Sequence, residues 1–148
     1  MIPLGYKFRL QKLLEFRQDI EDKSKISFME AMSEKNRVEM ELNYLQDSYN
    51  KYKNIPLNLS TIEKKIVQNY LNVVNNSIKD TTLLLDEKEV IVEEKREKLV
   101  KSQVERKTVE ILKEKDYGRY INEENRKEQN QVDEFALYGY VRKFAERR

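Results

Sequence analysis

Apolar residues in the first third of the chain fall on two interleaved rows, each seven residues apart. One row reads Leu14, Glu21, Phe28, Lys35, Leu42 and Tyr49. The other reads Leu10, Arg17, Ser24, Ala31, Val38, Leu45 and Tyr52. Nine of these thirteen positions are apolar, and from Val38 to Tyr52 the pattern is unbroken at alternating spacings of four and three. A strip of that spacing lies along one side of an α-helix and predicts a coiled-coil seam. The polar members cluster at 17, 21, 24 and 35. Leu13 and Ile20 lie beside the seam there and are expected to take over, rotating the buried face.

A broader stripe follows: Ile62, Ile66, Tyr70, Val73, Val74 and Ile78, then Leu83 to Leu85, Val90 to Val92, Leu99, Val104, Ile111 and Leu112. Adjacent apolar residues leave its heptad assignment open and suggest a contact face that drifts along the helix. Pro occurs only at 3 and 56, and Gly only at 5, 118 and 139. Residues 6–55 and 57–117 therefore carry neither helix breaker and are rich in good helix formers. Pro56 removes a backbone donor and disfavours helix at Ile55. Ser60 and Glu63 then have capping-box spacing.

This pattern predicts an all-α fold: a long antiparallel two-helix coiled coil with an overhanging C-terminal helix. Residues 1–148 form a single elongated domain. Helix A covers about 6–53, the turn about 54–60, helix B about 61–138, and 139–148 form a basic tail. With the turn centred near 57, position i is expected to face about 114 − i. That sets Leu45 near Tyr70, Phe28 near Leu84 and Leu85, and Leu10 near Val104. Helix A, roughly 70 Å long at about 1.5 Å per residue, would be exhausted near residue 106. The segment Asn122–Gln131, without one apolar side chain, lies in the overhang, and Gly118 is placed to loosen the helix before it. Val132, Phe135, Ala136, Leu137, Tyr138 and Tyr140 follow as an apolar tip that needs a partner.

Composition supports a thin seam. Charged residues are 38% of the chain, against about a quarter in ordinary globular domains. Leu, Ile, Val and Phe number 41 of 148, enough to escape disorder. The net charge of +2 argues against bulk electrostatic binding to nucleic acid or anionic lipid. Both ends are nonetheless basic, through Lys7, Arg9 and Lys12 at one and Arg142, Lys143, Arg147 and Arg148 at the other. No signal-peptide run or membrane-spanning stretch is present, so a cytoplasmic protein is expected.

The chain has no His and no Cys. The commonest acid–base and nucleophilic arrangements, thiolate metal sites and disulfides are thereby excluded. No Gly-rich phosphate loop occurs. Acids such as Glu87, Glu89, Glu93 and Glu94 read as solvated ion-pair partners on a helix surface. No enzyme activity and no cofactor or metal is expected. Tyr44, Tyr49, Tyr52 and Tyr70 are of more interest, because aromatics off a two-helix seam must face solvent, and exposed aromatics mark binding surfaces.

Three segments in order, "YKFRLQKLLEFRQDIED", "ELNYLQDSYNKY" and "ENRKEQNQVDEFA", carry a resemblance. The chain resembles FliJ, the small coiled-coil component of the bacterial flagellar protein export apparatus, over essentially its whole length. The resemblance implies a stalk-like, non-enzymatic hairpin that enters the export ATPase hexamer, contacts the cytoplasmic domain of the membrane export gate and escorts export chaperones. It implies a cytoplasmic protein peripherally associated with the inner face of the cell membrane through protein contacts. The gate-contacting positions of the family map onto Glu41, Leu45, Ser48 and Tyr52, and onto Tyr70, Val74, Ser77 and Thr81. Tyr70 and Val74 are expected to be exposed, whereas Leu45 and Tyr52 fall on the seam. Lys7, Arg9, Lys12, Arg142 and Lys143, with Phe135 and Tyr138, are the expected ATPase-ring contacts, the two basic ends meeting at the open end of the hairpin.

Two other readings share the pattern. One is the homologous stalk protein of a virulence-type secretion system. The other is a scaffolding or nucleic-acid-associated coiled coil, for which binding falls steeply with salt.

Overall fold

The computed structural model describes residues 5–55 and 58–147. Two helices account for nearly all of them: α1, Gln11–Lys53, and α2, Thr61–Glu146. They pack as an antiparallel hairpin of the coiled-coil type. The molecule divides into two compact units. One combines residues up to Gln18 with those from Val104 onward, and the other is Asp19–Gln103.

Burial follows the heptad rows of α1 throughout. Leu14, Glu21, Val38 and Leu42 are buried, and Arg17, Ser24, Phe28, Ala31, Lys35, Leu45 and Tyr49 are half-buried. The expected rotation at the polar stretch does not occur. Glu21 stays on the seam at 5% exposure, beside Lys25 at 3.4 Å, while Leu13 and Ile20 merely widen the strip. Coiled-coil phase is set by the whole run of apolar positions, so a few polar members ride along with it.

The second helix also has one heptad phase, where a drifting face was expected. Val67, Val74, Thr81, Lys88, Lys95, Ser102, Val109 and Asp116 form one buried or half-buried row. Leu71, Ile78, Leu85, Val92, Leu99, Arg106, Lys113 and Tyr120 form the other. The neighbours that obscured this phase, Leu83, Val90, Val100 and Val104, are more than half exposed.

Register differs from expectation by eight to ten residues. In the Asp19–Gln103 unit the Tyr52 and Tyr70 rings meet at 4.8 Å, residue numbers that add to 122, and the Arg96 guanidinium lies 5.6 Å from the Phe28 ring, adding to 124. Leu45 is therefore not the neighbour of Tyr70, nor Leu84 and Leu85 those of Phe28. A register of 114 would set Val38 level with Asn76 and Leu42 level with Asn72. The observed one sets Val38, fully buried, level with Leu84 and Leu85. The first two turns of α2 consequently run past the end of α1, which leaves Ile62 and Ile66 exposed. Those turns start on the expected capping box: the Glu63 amide donates to the Ser60 hydroxyl (3.2 Å), and the Ser60 amide to the Glu63 carboxylate (3.3 Å). Pro56, on which the turn was argued, lies outside the described residues.

In the other unit, Arg17 donates to Glu105 at 2.8 Å and Lys113 to Gln11 at 2.7 Å. Leu10 thus lies near Leu112 rather than Val104. Here α1 begins at Gln11 and not near residue 6, because a tertiary anchor holds the preceding segment. Gly5 has φ +109°, a conformation that a side chain would strain. Tyr6 packs edge-on against Tyr117 (5.1 Å) and tilted against Tyr120 (5.2 Å), and its hydroxyl donates to the Asp116 carboxylate at 2.9 Å. This hook carries pairing out to Tyr120, well beyond the expected limit of 106. From Asn122 to Arg147 every residue except Glu124 is exposed. The helix passes through Gly118 and Gly139 to Glu146 instead of ending in a tail. An interior Gly costs about 1 kcal/mol relative to Ala, and the Tyr140 and Phe144 rings stack at 6.5 Å, one turn apart, just beyond the second one.

Burial pushes the Tyr6 phenol up to about 12, helped by the hydrogen bond and negative charge of Asp116. Below pH 10 the phenol is protonated in both folded and unfolded chains, and the hook's contribution is complete. Between about 10 and 12 only the unfolded chain releases the proton, so that contribution falls as pH rises. Titration of phenolate absorbance should contain one late-ionising tyrosine, lost in Tyr6→Phe. A late component that survives the substitution would refute the hook. The seam is tested by two substitutions two residues apart on α2. Val92→Ala should destabilise by roughly 1–2 kcal/mol in denaturant unfolding, whereas Val90→Ala should be neutral or slightly stabilising, since both gain helix propensity. Equal losses at the two positions would contradict the heptad phase.

Candidate functional site

The eight positions mapped to gate contact all lie in the Asp19–Gln103 unit. They occur at spacings of four, three and four on each helix, on the same flank of the seam. At the observed register they fall level in pairs whose numbers each add to 122: Glu41 with Thr81, Leu45 with Ser77, Ser48 with Val74, and Tyr52 with Tyr70. One side of the coil therefore presents a ladder of four rungs. Its aromatic rung keeps 37% of Tyr52 and 42% of Tyr70 exposed, so both rings support each other and still offer an edge to a partner. Glu41 is exposed with Arg37 at 3.9 Å, and Leu45 is half-buried.

Val74 corrects the expectation. It is 5% exposed and belongs to the packed core. Its neighbour Val73 faces solvent instead, and the adjacent pair could not be told apart until the phase of α2 was known. Tyr44, 71% exposed, stands off the seam as expected. Sequence reasoning missed Met29, Met32 and Met40, which line a shallow hollow on the outer face of α1 with Ser33, Asn36 and Arg37. Their signal was there to read: three methionines off both heptad rows of a strongly polar helix. Flexible thioether side chains suit an adaptable contact surface.

The second candidate surface surrounds the Tyr6 hook. Lys7, Arg9 and Lys12 line an open cleft with Lys113, and Arg9 also borders a smaller hollow with Lys115 and Arg119. Folding thus gathers six cations where sequence reasoning found three. The clue was Tyr117 and Tyr120, two aromatics in an otherwise polar stretch that needed something to pack on. Glu15 and Asp116 are the acids bordering these hollows.

The two basic ends do not meet, contrary to expectation. Lys7 and Lys12 lie against the Lys113 turn, and Arg142 is 29 residues further along the same helix, about 44 Å at 1.5 Å per residue. The hook ends near Tyr120, and among the described residues from Asn122 to Arg147 all but Glu124 are exposed. Arg142 and Lys143 are exposed there, with Phe135 at 76% and Tyr138 at 70%. Arg147 is exposed too, and Arg148 lies outside the described residues. Among the described residues no cluster of three or more potential metal ligands occurs, and no helix is long and apolar enough to cross a membrane.

The flagellar FliJ protein family matches residues 6–144. The flagellar FliJ protein of Bacillus subtilis (strain 168) is 25% identical over 143 residues, covering 93% of this chain and 97% of that protein. No solved structure matches the chain. The match is to flagellar proteins, which separates this chain from the virulence-type stalks that the pattern alone allowed. A family match that runs from Tyr6 to Phe144 leads to one conclusion: the chain belongs to the FliJ family of flagellar export components.

Proposed function

We propose that the chain is a non-enzymatic stalk that links the export ATPase ring to the membrane export gate and escorts export chaperones. The four-rung ladder on one flank of the coil carries this reading. Eight positions chosen by family pattern fall level, pair by pair, in a register that the pattern did not predict. The aromatic rung is the gate anchor, with Glu41 and Leu45 beside it. Half-exposed tyrosines that are already packed lose little conformational freedom on binding, which is what an interface anchor requires. Val74 supports the rung from within the core.

The ring contact divides between two places. The cationic hook, Lys7, Arg9 and Lys12 with Lys113, Lys115 and Arg119, suits acidic or polar loops. The overhang contributes Phe135, Tyr138, Arg142 and Lys143. The chain would be held at the inner face of the cell membrane by its protein partners. The methionine hollow on α1, lined by flexible thioethers, is an adaptable surface suited to chaperone contact.

Replacing Tyr52 and Tyr70 by Ala should weaken binding to the gate's cytoplasmic domain by roughly 1–4 kcal/mol with little change in helicity. Val74→Ala should instead lower stability by about 1–3 kcal/mol. Calorimetric titration and thermal unfolding separate the two effects, and a rung variant that unfolds without losing affinity would contradict the assignment. For the ring, Lys7→Glu with Arg9→Glu should reduce retention on the isolated ATPase hexamer, more strongly at low salt, while circular dichroism stays unchanged. Arg142→Glu with Lys143→Glu should reduce it independently. Undiminished retention in both pairs would end the basic-contact reading.

A further inference from the structure

The turn end of the Asp19–Gln103 unit carries an apolar stripe that the seam does not use. Ile62, Ile66, Tyr70 and Val73 are 73%, 62%, 42% and 63% exposed. At about 100° per residue they fall within an arc of about 80° on α2, and no other residue of 62–73 enters that arc. The stripe runs roughly 16 Å along the helix. Its first two turns lie past the end of α1, so Ile62 and Ile66 stand clear of the coil.

Four exposed lysines surround it: Lys51 and Lys53 in the last turn of α1, Lys64 and Lys65 in the first turns of α2. Lys51 reaches the aromatic edge, its ammonium 5.8 Å from the Tyr52 ring that packs on Tyr70. Lys65 lies on the other edge, about 60° beyond Ile62. None of the four has an ion-pair partner among the described residues. The one acid from Tyr49 to Val73 is Glu63, whose carboxylate accepts the Ser60 amide in the cap. Four lysines against one acid leave this segment at +3, which the whole-chain charge of +2 conceals.

We infer that this end of the hairpin lies on an anionic lipid surface. Ile62, Ile66 and Val73 seat just below the headgroups, Tyr70 sits at headgroup level, and the lysine stems reach back to the phosphates. Chemistry favours that occupant over the others. Aliphatic anchors on a lone helix need no shaped groove, only a fluid apolar layer. Anionic headgroups gather round cations spread over two helices, where a protein rim would need acids placed to match. A second copy would bring +3 against +3. Nucleic acid would find no stacking platform in two isoleucines and a valine. Among the described residues no helix is long and apolar enough to cross a membrane, so the contact is peripheral. It does not depend on the gate assignment, because vesicles contain no gate.

The experiment uses the full chain and vesicles of equal parts phosphatidylglycerol and phosphatidylcholine. The chain should float with them, several-fold less with phosphatidylcholine alone, and binding should fall as salt rises. Ile62→Gln with Ile66→Gln should reduce binding about tenfold with helicity unchanged, since Gln is a good helix former. Lys64→Glu with Lys65→Glu should reduce it and flatten the salt dependence. Lys98→Glu with Lys101→Glu, the same charge change at exposed positions further along α2, should cost much less. The chain has no Trp, so Ile66→Trp supplies a single reporter whose emission should shift to the blue on the mixed vesicles. Failure to float with the mixed vesicles overturns the proposal and leaves the stripe to a protein groove. Unshifted emission overturns the seating of the stripe. Undiminished binding in the glutamine pair, or equal losses in the two charge pairs, overturns the assignment to this end.

Discussion

Everything distinctive in this molecule depends on where α1 locks against α2. The seam that does this is thin. Among the described residues its buried apolar members are Leu14, Val38, Leu42, Val74, Val92 and Val109, of which Val38 alone is fully enclosed. Each contributes on the order of 1.5–3 kcal/mol if completely buried. Small increments of this kind, spread along a repetitive pattern, do not by themselves choose one alignment over another displaced by a heptad. The choice has to come from features that do not repeat.

Three such features are visible. The Tyr6 hook fits only the turn that carries Asp116, Tyr117 and Tyr120, and it fixes the pairing of its unit. The Tyr52–Tyr70 rung does the same for the other unit. The polar seam residues act by exclusion. Glu21, 5% exposed, is level with the region of Ser102, whose own hydroxyl is satisfied by the Leu99 carbonyl at 2.8 Å. A slip of one heptad would bring that carboxylate level with Val109. Isolated polar groups at core positions of coiled coils commonly give up some stability to fix register in this way. Among the described residues no buried side-chain N or O atom lacks a partner, so the seam carries its polar members without an orphaned group.

How much of this could be read from the sequence follows from the range of each interaction. The α1 heptads, the Ser60–Glu63 cap and the exposure of Asn122 onward are local, and periodicity or spacing alone determines them. Register is not local. Assuming a tight turn near residue 57 put Leu45 beside Tyr70, because the two turns of α2 that overshoot α1 leave no mark in the pattern. The phase of α2 was hidden for a related reason: Val73–Val74 and Val90–Ile91–Val92 offer two apolar rows, and only the partner helix decides between them. That ambiguity moved Val74 from the surface into the core. The cationic hook was missed because Tyr6 stops the helix short of residue 6 through contacts more than a hundred residues away.

The central claim is that the helices of the Asp19–Gln103 unit share one register, with facing residues adding to about 122, and that this register places the ladder. Paired cysteines test it directly in a chain that has none of its own. Leu45→Cys with Ser77→Cys, which leaves the aromatic rung in place, should oxidise rapidly to an intramolecular disulfide at monomer mass. Leu45→Cys with Asn69→Cys, the pair that a tight turn would bring together, should remain reduced under the same conditions. Closure of the second pair and not the first would contradict the register and everything derived from it.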